Sequence, residues 1–143
     1  MMKQEAMNSG NLEDPLTEKI LGAAIRVHRE LGPGFLESIY EEALAIEFTA
    51  SGIRYERQKP LAILYHEHLV GEHRLDFLVE STVVVELKAI AEFEKVHFAI
   101  VRSYLKAAGI QCGLLLNFAK PTLDIKRIGR EFTGARRPLD LEA

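Results

Sequence analysis

Three residues in one stretch of the chain have the types and spacing for chemistry: Asp76, Glu86 and Lys88. They fall in two segments of alternating polarity. His73–Val79 sets Leu75, Phe77 and Val79 on one face and Arg74, Asp76 and Leu78 on the other. Thr82–Ala89 sets Val83, Val85 and Leu87 on one face and Val84, Glu86 and Lys88 on the other. Period-two alternation with β-branched residues marks strands. With Glu80-Ser81-Thr82 as the loop, Val79 faces Val83, Phe77 faces Val85 and Leu75 faces Leu87. The same register sets Asp76 directly across from Glu86. A one-residue slip would oppose apolar to polar positions, which a half-buried sheet resists.

Directly opposed Cβ atoms lie roughly 4.5–5.5 Å apart. Two carboxylates so placed among apolar neighbours either share a proton or bind a cation. A hard divalent ion such as Mg²⁺ takes oxygen ligands and keeps several waters. Two carboxylates with open positions therefore leave room for a phosphate oxygen and an attacking water. Lys88, on the face of Glu86, could hold that water or steady developing charge. The competing reading is an internal salt bridge from Lys88 to Asp76 or Glu86. Glu37 adds a further acid at the first turn of a helix, with Tyr40 and Glu41 at i+3 and i+4. It is either a third ligand or a charge favoured by the helix dipole.

Several elements must position these groups. A first helix is predicted from about Pro15 to Leu31, with Asp14 as its cap and Ile20, Leu21, Ala24, Val27 and Leu31 as its apolar stripe. Gly32-Pro33-Gly34 stops it. A second is predicted from about Leu36 to Ser51, with Ile39, Ala43, Leu44 and Phe48 facing the core. Ile53–Gln58 is short and extended, and Leu61–Val70 alternates before Gly71. A third helix is predicted over Phe93–Ala108, closed by Gly109. Gly113–Phe118 is a continuous apolar run, the mark of a strand buried on both faces, and Leu123–Ile128 suits an edge strand. Strands joined by tight loops should be antiparallel, and the strand after the third helix can return parallel. The expected class is α/β, a mixed sheet between helices.

The chain of 143 residues suits one domain. The expected division is a polar leader (1–14), the domain (15–132) and a polar tail (133–143). No apolar run approaches the ~20 residues needed to cross a bilayer, and the leader has no apolar signal core. The lone Cys112 excludes an intrachain disulfide and a Cys-rich zinc site, and reads as a buried structural thiol. These features lead to an expectation of a cytoplasmic protein. Net charge is −3, but residues 1–94 hold 17 acidic against 9 basic groups and residues 95–137 hold 2 against 9. An acidic half followed by a basic half suits a cation and a polyanionic substrate. Chance clustering on a solvated surface is the alternative.

Gly34-Phe35-Leu36-Glu37-Ser38-Ile39-Tyr40 resembles the G-x-x-E-x-x-Y signature of the GxxExxY proteins, a branch of the PD-(D/E)XK nuclease superfamily. The likeness extends through VHRELGPGFLESIYEEAL, RLDF, VVVELKA and HFAIVRSYLKAAG to GLLLNF, covering about residues 16–129. It implies a restriction-endonuclease-like αβββαβ core. Asp76 resembles the conserved aspartate, Glu86-Leu87-Lys88 the (D/E)-x-K, and Glu37 the helical acid that completes the site. It also implies a Mg²⁺-dependent nuclease, with Mn²⁺ as a substitute, acting on DNA more readily than RNA. Lys106, Lys126 and Arg127 are candidates for gripping the backbone, contacts that carry no base sequence. Ile100 stands where family members often have a glutamine. That departure keeps open a weakly active or inactive nuclease-fold module that binds nucleic acid or protein. A homodimer or protein partner is compatible with the sequence, though no interface stripe marks one.

Overall fold

The computed structural model describes residues 14–130, so the expected leader (save Asp14) and the polar tail lie outside the described residues. The order is α1 (Pro15–Leu31), α2 (Glu37–Ala50), β1 (Tyr55–Tyr65), β2 (His68–Val79), β3 (Val83–Lys88), α3 (Lys95–Ala108), β4 (Cys112–Asn117) and β5 (Asp124–Gly129). The strands lie side by side in chain order. Neighbours are antiparallel except β3 and β4, which run parallel because α3 carries the chain back across the sheet.

Two cores flank the sheet. Ile20, Ala24 and Val27 of α1 and Tyr40, Leu44 and Phe48 of α2 pack against Phe77, Val79, Val83, Val85, Leu87, Leu114 and Leu116. On the other face, Val101 and Leu105 of α3 meet Leu61, Leu75, Leu78, Val84, Leu115 and Ile128. A Cβ on Gly113 would stand 3.1 Å from Val101 Cγ1 and 3.3 Å from Leu105 Cδ2, so glycine lets α3 approach β4 closely. This is the expected α/β class, a mixed five-stranded sheet flanked by helices. No helix among the described residues is long and apolar enough to cross a membrane.

Local differences from the sequence reading are instructive. Thr17 donates to Asp14 Oδ2 (3.0 Å), whose side chain makes no capping bond to the backbone. In α2, Tyr40 takes the core position expected of Ile39, which is exposed. The segments around Gln58 and Leu61 join into one strand. The first hairpin turns at His66–Glu67, both at positive φ, and Gly71 lies inside β2. The expected pairs Val79/Val83 and Phe77/Val85 form, but the ladder ends there, so Leu75 does not pair with Leu87. Leu75 instead packs in the α3 core, opposite the face of Phe77. The faces of β2 exchange at Asp76. Those of β1 exchange at Gln58, between Arg57/Phe77 and Lys59/Leu75, where φ is 50°.

Candidate active site

The G-x-x-E-x-x-Y segment builds the corner from which Glu37 projects. Gly34 has φ 117°, a conformation that favours glycine. Tyr40 is fully buried and stacks on Phe118 with centroids 4.6 Å apart. Its hydroxyl donates to Gly32 O (2.6 Å) and accepts from the Phe35 amide (3.1 Å). Tyr40 thus locks the α1–α2 turn and sets where α2 begins. Glu37, the first residue of α2, accepts from the Ala89 amide through Oε2 (3.3 Å), immediately after Lys88.

The central pair lies where β2 leaves β3. The Asp76 amide donates to Glu86 Oε2 (2.9 Å), and the Leu87 amide donates to Asp76 Oδ2 (2.8 Å). Side-chain carboxylates therefore take the place of the ladder bonds that stop at Phe77/Val85. This reciprocal exchange holds both acids at the fork, although the expected ladder pair Asp76/Glu86 does not form. Glu86 is only 6% exposed. Burial pushes its carboxyl well above the ordinary range, and the Asp76 charge adds to that. Burial also raises Asp76, opposed by the Leu87 amide and increased by Glu41 and Glu37. A buried and a half-buried acid under mutual repulsion hold a proton or take a cation.

Lys88 acts electrostatically on both carboxylates, yet no ion pair within 4.0 Å joins it to either. The internal salt bridge considered from the sequence is therefore not formed. Behind Lys88, the fully buried Asn117 accepts from the Ile90 and Ala119 amides and donates to Ile90 O. It fixes the backbone that follows the lysine.

Among the described residues, no group of three Asp, Glu, His or Cys side chains is arranged to hold a metal ion unaided. Glu37 reaches the end of β3 without joining Asp76 and Glu86 in a three-carboxylate cluster. The donor set at the fork is all oxygen, with one oxygen of each acid held by an amide. That chemistry fits a hard, partly hydrated divalent ion and does not resemble a structural zinc site.

The sequence reading missed three neighbours. Gln58 donates to Glu41 Oε1 (3.0 Å) and lies 3.5 Å from Asp76 Oδ1. Tyr104 stacks on His73 (centroids 3.8 Å) and feels the charges of Glu86 and Asp76 in addition to its burial. Asn117 is the third. Register could have flagged Gln58, which stands opposite Asp76 by count; nothing local marked the others. Lys106 lies exposed in the last turn of α3, and Lys126 lies exposed on edge strand β5, 3.9 Å from Asp124. Arg127 turns inward, its guanidinium 3.4 Å from Thr17 Oγ1 and close to Cys112. The structure does not bring these three cations into the fork. Cys112 itself is half-buried, with its thiol pushed up by burial.

A comparison with curated proteins gives no match. A sequence model of the PD-(D/E)XK nuclease superfamily matches residues 14–128, which span the helices, the whole sheet bar one residue, and the fork. With a mixed sheet of this topology carrying its acids and lysine where β2 and β3 part, the chain belongs to the PD-(D/E)XK nuclease superfamily.

Proposed function

We propose that the chain is a divalent-metal-dependent nuclease of the GxxExxY branch, hydrolysing phosphodiester bonds in nucleic acid, DNA before RNA, in the cytoplasm. The observation that carries this reading is the reciprocal exchange between the buried Glu86 and the half-buried Asp76, with Lys88 beside them in no ion pair among the described residues. Asp76 and Glu86 would hold Mg²⁺, or Mn²⁺ in its place, with Glu37 in support. When bound, the ion would lower the pKa of a water and screen the phosphate charge.

The protein's own groups do the rest. The Leu87 and Asp76 amides keep the carboxylates aimed across the fork and unable to rotate away. Lys88, in no ion pair among the described residues, can donate to the attacking water or to a non-bridging phosphate oxygen as charge builds there. Water attacks phosphorus in line, a P–O bond breaks, and no covalent intermediate with the enzyme forms. Lys106 and Lys126 remain available to the phosphate backbone, whereas the inward turn of Arg127 makes it the weakest of the three candidates.

A second reading is a nuclease-fold module that binds without cutting. It is favoured by Ile100, an exposed apolar side chain one turn before Tyr104 on α3. Incubation with single- and double-stranded DNA and RNA in Mg²⁺ or Mn²⁺ separates the two. The nuclease reading expects cleavage that falls about 10²- to 10³-fold in Lys88→Ala, the usual cost of losing one charge-stabilising donor. Binding without cleavage by the wild type would favour the second reading, and equal cleavage by the variant would remove Lys88 from the mechanism.

A further inference from the structure

Position 58 combines a strained backbone with a side chain that meets the candidate site. Gln58 sits at φ 50°, in the left-handed region that costs a residue with a Cβ. It falls between the ladder pairs Arg57/Phe77 and Lys59/Leu75, level with Asp76 by count, at the point where the faces of β1 and β2 exchange. Its carbonyl accepts from Arg74 Nη1 (3.2 Å). Its Nε2 is 3.0 Å from Glu41 Oε1 and 3.5 Å from Asp76 Oδ1. Both partners are carboxyl groups, which when ionised can only accept, so the amide turns its NH₂ toward them. Arg57, one residue earlier, forks onto Glu41 Oε2 through Nε (3.1 Å) and Nη2 (3.0 Å) and reaches Glu42 with Nη2 (3.1 Å).

A chain of contacts thus runs from Glu42 through Arg57, Glu41 and Gln58 to Asp76. Arg57 holds Glu41, Glu41 holds the Gln58 amide, and the amide addresses the one Asp76 oxygen that the Leu87 amide does not. With both oxygens addressed, the carboxylate plane is defined. Hydrogen bonds at reacting centres are often long before the ligand arrives and tighten with it. Strain of the kind seen at Gln58 persists where the surroundings over-determine it, often at functional sites.

We infer that Gln58 is a positioning residue: braced by the Arg57–Glu41 pair, it sets the Asp76 carboxylate for a divalent cation. The inference rests on the metal-site reading of the fork. The competing explanation is that only the backbone kink matters and the side chain is an ordinary surface amide. Two variants separate these. Gln58→Gly accepts φ 50° without strain and removes the amide. Gln58→Met keeps the length and removes the donors. Titration calorimetry with Mn²⁺ alone, alongside thermal unfolding without metal, should show Mn²⁺ affinity lowered about ten- to a hundredfold in both variants, the usual cost of losing a group that orients a ligand. The unfolding midpoint of Gln58→Gly should match or exceed that of the wild type. If either variant binds Mn²⁺ as tightly as the wild type while Asp76→Asn does not bind, the role of Gln58 is overturned and the metal site stands. If the wild type binds no Mn²⁺, both readings fall together.

Discussion

The two edges of β3 are built to opposite ends. Toward β4 the parallel ladder is unbroken from Val83/Cys112 to Lys88/Asn117, between two apolar layers. Toward β2 only Val83, Val84 and Val85 are paired, and from Glu86 onward carboxylates and amides replace backbone pairing. One edge stays paired along the whole of β3. The other stops doing so where charge is concentrated, and its acids carry raised affinities for protons. The difference teaches how a stable sheet hosts an unstable site. The β4 edge supplies rigidity, and the β2 edge spends part of it to hold like charges together. The raised carboxyls are the sign that this edge is tuned for something besides folding.

The contrast is sharpest in what each edge loses when cut back. Leu116, fully buried on β4 beside Leu87, belongs to the stabilising edge. Leu116→Ala should lower unfolding free energy by about 2–5 kcal/mol in denaturant titrations, by the same amount with or without Mg²⁺ at a given relative saturation. At the fork the sign reverses. Glu86, with its carboxyl pushed up from 4.5 to about 8, binds more protons folded than unfolded between those pH values. Stability of the metal-free protein should therefore fall as pH rises through that window, and the slope should flatten in Glu86→Gln. At pH 8 the variant should be the more stable, by on the order of 2 kcal/mol, because it no longer ionises a buried acid. At pH 5 the two should nearly coincide. A wild type whose stability rises from pH 5 to pH 8 would contradict the electrostatic description of this edge.

What was legible in the sequence follows this division. The element order, the parallel return through α3 and the pairs Val79/Val83 and Phe77/Val85 came from apolar periodicity, which large buried areas enforce. Asp76 and Glu86 were found because extending that register sets them opposite each other, although in the structure side chain–backbone bonds rather than the ladder join them. The end of the ladder was not legible. Alternation gave Leu75 the face of Phe77, and the exchange of faces at Asp76 and Gln58 depends on tertiary bonds to Glu86, Leu87 and Glu41 that no local pattern encodes. The turn at His66–Glu67 was hidden for a related reason. Neither residue favours positive φ as glycine does, so Gly71 was the more natural place to break. Tyr40 read as part of a motif and proved to be the bolt of the α1–α2 corner, because its hydroxyl partners lie in the preceding loop. Arg127 counted as basic charge, and only the packing of α1 on β5 revealed that Thr17 occupies it.

The central claim is that the fork of β2 and β3 is a cation site. It is tested most directly by calorimetric titration of Mg²⁺ and Mn²⁺ into the wild type and into Asp76→Asn/Glu86→Gln at pH 7 and pH 8. The account predicts saturable binding to the wild type, tighter at pH 8 because less proton must be displaced from Glu86, and none to the double variant. Equal binding by both proteins, or none by either, would contradict it.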